Sequence, residues 1–122
     1  MNRKARFLGL VFSVMTAIGA VGCGKPRGLP DDVVDGRKLF RGNCAMCHGP
    51  NGEGMPKLGK NLTANEFVKG LSDEEFVQFL KVGRSAEDPL NERGVDMPPR
   101  GGNPALSDQD LARIADYVRF IQ

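Results

Sequence analysis

At 122 residues the chain has room for one small domain. Its 17 Lys and Arg nearly balance 15 Asp and Glu, and no basic run is interleaved with aromatics, which excludes a nucleic-acid surface. With no Trp and one Tyr, so small a domain buries little of its own surface and needs a staple such as a disulfide, a metal or a cofactor.

The chain opens with Arg3, Lys4 and Arg6, then an apolar run from Phe7 to Ala20, then small residues leading to Cys23. That three-part layout predicts an export signal over residues 1–22. The apolar run is shorter than the roughly 20 residues that cross a bilayer. The competing reading, an uncleaved membrane helix, must recruit Val21 and Gly22. Loss of the signal removes three cations and leaves 14 basic against 15 acidic residues, a net charge of −1. Residues 23–30, rich in Gly and Pro, read as a short linker that keeps the domain close to whatever Cys23 is attached to.

The domain itself is expected over residues 31–122. A first helix is predicted from Asp31 to Arg41, with Pro30 and two aspartates at its positive end. Val33, Gly36, Phe40 and Cys44 fall along one face of it. Gly36 costs roughly 1 kcal/mol in a helix relative to Ala, which a close approach by another helix would explain. Capping boxes open two more helices: Thr63 with Glu66, ending near Gly70, and Ser72 with Glu75, ending before Gly83. The last helix starts at Ser107, with Asp110 in the boxed position. Its stripe is Leu111, Ile114, Ala115, Val118 and Ile121. No alternating stretch is long enough for a strand, so the fold class is all-α. Residues 49–61 and 84–106 lack helix signals, and a loop as long as the second is usually functional or disordered.

Cys44-Ala45-Met46-Cys47-His48 reads as a covalent haem-attachment motif. Two thiols three residues apart on one turn can reach two vinyl groups on one porphyrin edge, and the His after them can ligate the iron. A zinc site would want two further ligands, and the domain has no other Cys or His. A thioredoxin-like pair would want a βαβ setting, which the helical pattern does not supply. His48 is the only histidine in the chain. A second axial ligand from this chain is therefore methionine or lysine, unless the position holds water or nothing. Met46 lies inside the attachment turn, and Met55 follows His48 by only seven residues. Met97 sits in the long loop, where Pro98 and Pro99 remove two donors and hold it out of helical conformation. Such pre-ordering suits a weak thioether ligand; the bland reading of Met97 is a gap-filler in the core.

With these residues in place the chain resembles the small monohaem, class I cytochromes c over roughly Asp35 to Ile121. The resemblance rests on Gly36 to Phe40, Cys44 to Gly49, Met97-Pro98-Pro99 ahead of Gly101-Gly102-Asn103-Pro104, and the terminal helix. It implies a fold whose first and last helices cross around one covalently bound haem c, with Gly36 and Phe40 packed against Ile114 and Tyr117. It implies His48 and Met97 as axial ligands, and electron transfer rather than enzymatic turnover. The family often has Gly-Pro-Asn-Leu after the haem turn, with the Pro carbonyl accepting a hydrogen bond from the ligand His. Here the stretch is Gly59-Lys60-Asn61-Leu62, so the same bond is expected at the Lys60 carbonyl.

Ala20-Val21-Gly22-Cys23 is similar to the lipobox of bacterial lipoproteins. This implies a lipid on Cys23, a place on the periplasmic or extracytoplasmic membrane surface, and no disulfide, since Cys44 and Cys47 are taken by haem. The expected partners are redox proteins, a respiratory complex or an oxidase. The alternative role is a fixed haem subunit of a larger quinol-oxidising or terminal oxidase complex. A second alternative, an enzyme or gas sensor with an open distal site, requires that Met97 not bind iron. Arg37, Lys38 and Arg41 are candidates for docking an acidic partner, or simply a solvated face.

Overall fold

The computed structural model describes residues 29–122; the expected export signal, Cys23 and most of the expected linker lie outside the described residues. Five helices follow in chain order: α1 (Asp31–Asn43), α2 (Ala45–His48), α3 (Glu66–Lys69), α4 (Asp73–Val82) and α5 (Asp108–Phe120). Among the described residues there is no strand, only an isolated antiparallel bridge between Arg84 and Met97. None of their helices is long and apolar enough to cross a membrane.

Helix α1 begins just after Pro30, whose fixed φ suits a helix start, and Asp31 and Asp32 occupy its first turn. It runs two residues further than the expected end at Arg41, because the Cys44 amide still reaches the Phe40 carbonyl at 2.7 Å. Its buried face is Val33, Gly36 and Phe40. That face packs on α5, where Leu111, Ile114, Ala115, Tyr117 and Val118 are buried. Gly36 is the point of closest approach. A Cβ there would lie 1.9 Å from the Arg113 carbonyl oxygen and 3.0 Å from the Tyr117 Cβ. No larger residue fits without moving one helix off the other. One turn along, the Phe40 and Tyr117 rings pack at 5.2 Å between centroids, tilted by 57°.

Both expected capping boxes on the long C-terminal helices are present. Ser72 and Glu75 exchange bonds at the start of α4, as do Ser107 and Asp110 at the start of α5. The box expected at Thr63 and Glu66 is not formed. Asn61 Oδ1 accepts from both the amide and the hydroxyl of Thr63, at 2.8 Å each, and so takes the amide that the Glu66 carboxylate would need and holds Thr63 in a local turn. Asn65 caps α3 instead, accepting from the Val68 amide at 3.2 Å. Helix α4 adds Phe76 and Leu80 to the core. Arg119 of α5 donates to the carbonyls of Val68 and Leu71, which fastens the last helix to the α3–α4 junction.

Candidate haem site

The short helix α2 carries the motif. The amides of Cys47 and His48 both bond back to the Cys44 carbonyl, at 3.1 and 3.0 Å, which sets the two thiols and the imidazole on one turn. Cys44 and Cys47 are both partly buried. Before any bond forms at its sulfur, burial, and secondarily the neighbouring Cys47, hold the Cys44 thiol up at about 11. Burial likewise pulls His48 below its ordinary value, partly opposed by its hydrogen bond to Lys60. A neutral imidazole is the form that ligates a metal.

His48 Nδ1 donates to the Lys60 carbonyl at 2.9 Å, as expected from the strap Gly59-Lys60-Asn61-Leu62. With Nδ1 committed as donor, Nε2 keeps its lone pair for a metal. The strap lies close on the motif, since a Cβ at Gly59 would come within 2.1 Å of the Cys47 carbonyl oxygen.

Cys44, Cys47, His48 and Met97 line one open cleft. Its walls include Phe40, Leu62, Val68, Phe76, Phe79 and Leu80. The structure thus brings together the four site residues expected within the domain. A flat apolar ring system with two thiol-reactive edge groups and a metal at its centre fits these donors and walls. Met46, by contrast, is 83 % exposed and Met55 41 % exposed, so both point away from such a role.

Met97 is partly buried against the core. Its amide and carbonyl exchange bonds with the carbonyl and amide of Arg84, at 2.8 and 2.9 Å. Gly83, with φ +74°, makes room for this pairing, because a Cβ there would lie 2.1 Å from the Met97 carbonyl oxygen. On the other side, Pro98 holds an extended conformation (φ −69°, ψ 152°) and Pro99 opens a kinked turn that ends at Gly102. Arg100 takes a left-handed φ of +55°, uncommon for a residue with a side chain. Its guanidinium is anchored on the Leu106 carbonyl at 2.6 Å and on Asp108 at 2.8 Å. Asn103 reaches across to Asn43, at the entrance to the motif, at 2.9 Å. The segment 84–106 is therefore ordered by a bridge, a turn and polar anchors.

Arg84 was not visible as a site residue in the sequence. Its guanidinium lies over the Phe67 and Phe79 rings, 4.4 and 5.0 Å from their centroids, with only 15 % of the side chain exposed. A basic residue directly after the helix-ending Gly83 was the only available signal. Of the three cations proposed for docking, Arg41 is engaged with the Pro50 carbonyl and Asn51, and Lys38 pairs with Asp35. Arg37 is exposed.

Comparison with known proteins adds the relatives. The family model described as "Cytochrome c" matches residues 33–122. Cytochrome c-555 of Chlorobaculum thiosulfatiphilum is 31% identical over 88 residues, covering 71% of this chain and 93% of that protein. The cbb3-type cytochrome c oxidase subunit FixP of Azorhizobium caulinodans is 37% identical over 87 residues, covering 70% of this chain and 26% of that protein. Cytochrome c6 of Diacronema lutheri is 28% identical over 89 residues, covering 71% of this chain and 93% of that protein. The chain thus spans only about a quarter of the oxidase subunits it matches, and nearly all of the smaller cytochromes. No solved structure matches it.

Proposed function

The chain belongs to the cytochrome c family, and on that premise we propose that His48 and Met97 are the axial ligands of its haem. Members of this family carry a covalently bound c-type haem and transfer electrons with it. The finer reading places the thioether links on Cys44 and Cys47. It further places the protein on the extracytoplasmic membrane surface, tethered by a lipid on Cys23, as a carrier between respiratory complexes.

The observation that supports this reading best is the shared cleft of Cys44, Cys47, His48 and Met97, with His48 Nδ1 committed to a backbone carbonyl. When bound, the haem supplies a one-electron Fe(II)/Fe(III) couple. The chain's part is to hold that couple still. The Lys60 carbonyl fixes the ring orientation of His48 and raises its basicity as a ligand. The Arg84 bridge and the prolines fix the backbone of Met97. Apolar walls exclude water, and together with thioether ligation they favour the reduced state and raise the potential. Arg84, seated over two rings, adds a positive charge to the same wall.

Substitution of Met97 by Ala tests the ligand assignment. The ferric holoprotein is expected to lose its thioether-to-iron charge-transfer band and to bind carbon monoxide rapidly once reduced. A band that survives the substitution would remove Met97 from the site, and a band absent already from the unsubstituted protein would favour the open-site sensor or enzyme. Mass spectrometry of the mature N-terminus tests the lipid on Cys23.

The relatives named as oxidase subunits favour one second reading, a fixed haem subunit of a terminal oxidase assembly. Solubilisation of membranes in mild detergent separates the two. A carrier comes away alone; a subunit co-purifies in fixed ratio with its complex.

A further inference from the structure

Residues 85–96 form a self-contained cap at the mouth of the cleft. Asn91 is its hub: its side-chain nitrogen donates to the Ser85 and Val95 carbonyls at 2.8 Å each, and its oxygen accepts from the Arg93 and Gly94 amides at 3.0 Å. Asp96 accepts from the Ala86 amide at 2.6 Å. The cap ends in Met97, whose pairing with Arg84 closes its base. Among the described residues, all other hydrogen bonds of this cap, apart from one charged contact, stay within residues 84–97. The single polar tie that leaves it is the ion pair of Glu92 Oε1 with Lys60 Nζ, at 2.8 Å.

Lys60 is also the residue whose carbonyl holds His48. Its main chain therefore touches the histidine on one side of the cleft, while its side chain grips the cap that presents Met97. A proline at this position would keep the carbonyl and lose the grip. We propose that Lys60 and Glu92 are positioning residues which clamp the cap shut over the cleft and so keep Met97 seated on the iron. The inference rests on the assignment of Met97 as a ligand.

The pair is partly exposed, with 35 % of the Lys60 side chain and 74 % of the Glu92 side chain open to solvent. Such pairs hold weakly and are screened by salt. Arg93 and Arg84 also act on Glu92, so two further cations compete with Lys60 for it. The clamp is accordingly a brake on the opening of the cap, a few-fold in rate.

The test uses the ferric holoprotein and imidazole as an incoming ligand, whose binding requires Met97 to leave. Lys60→Gln keeps the main-chain carbonyl, and Glu92→Gln keeps the shape of the side chain. Each is expected to speed imidazole binding several-fold at low ionic strength and to flatten the salt dependence seen in the unsubstituted protein. The exchanged pair, Lys60→Glu with Glu92→Lys, is expected to slow binding again. Rates that stay unchanged in both single variants overturn the clamp, and so does a gain in Lys60→Gln without one in Glu92→Gln. In both cases the charge-transfer band of the unsubstituted protein is intact, so the ligand assignment stands. If that band is absent from the unsubstituted protein, or survives Met97→Ala, the ligand assignment fails and takes the clamp with it.

Discussion

The crossing of α1 on α5 and the segment 84–106 frame the same cleft, yet they are held by different physics. The crossing is steric and apolar. Gly36 admits the Arg113 carbonyl, Phe40 meets Tyr117, and Phe40, Leu111, Ile114 and Val118 are almost completely shielded from water. The segment 84–106 is polar and self-bonded, and it leaves Leu90 62 % and Val95 39 % exposed. One region is rigid because protein fills the space beside it. The other is shaped by turns and anchors around a cleft that protein does not fill. Changes to the crossing should therefore unfold the molecule, and changes to the segment should retune its redox chemistry.

The largest expected effect belongs to the crossing. Gly36→Val forces α1 away from α5, and should cost about 3 kcal/mol in denaturant unfolding of the holoprotein, at the upper end of overpacking penalties. A cost below about 1 kcal/mol would show that the crossing is slack. Met97→Ala should lower the midpoint potential on the order of 100 mV, a fraction of the about 0.8 V that axial ligation spans, while the folded helix content in circular dichroism stays the same. Equal losses of helix and potential would erase the contrast between the two regions.

Arg119→Gln sharpens the comparison from the crossing side. It removes charge-assisted bonds to the Val68 and Leu71 carbonyls and should cost about 2 kcal/mol of stability with little change in potential. The smallest effect is at Asp116, an exposed residue of α5. Burial, then the charges of Asp32 and Asp73, raise its carboxyl above the ordinary value. A carboxyl raised in the folded state stabilises below its unfolded value and loses that contribution as pH rises through the folded one. Asp116→Asn should thus stabilise at neutral pH by no more than about 0.5 kcal/mol after solvent screening. The gain should vanish below about pH 4, which thermal melts at the two pH values check.

Where short-range rules govern, the sequence was easy to read. Ser72 with Glu75 and Ser107 with Asp110 cap as their spacing implies, and the periodic stripe of α5 is the buried one. Gly36 announced a close approach because a helix tolerates glycine only for a reason. The cap at Thr63 misled, since Asn61, two residues earlier, takes the Thr63 amide that Glu66 would need. What joins distant parts of the chain carried no local signal: the seating of Arg84 on Phe67 and Phe79, the reach of Arg119 to two carbonyls, and the Lys60–Glu92 pair. The motif residues were legible because a porphyrin edge demands that spacing. Met97 was singled out only through the prolines that follow it, and the structure places it on the cleft.

Proteolysis of the mature protein followed by mass spectrometry tests the central claim most directly. Trypsin releases residues 42–57 as one peptide, which contains Cys44, Cys47 and His48 and none of the other proposed ligands. The account predicts that this peptide alone carries the mass of one haem, joined by two thioether bonds. A peptide of bare amino-acid mass with two alkylatable thiols would contradict it.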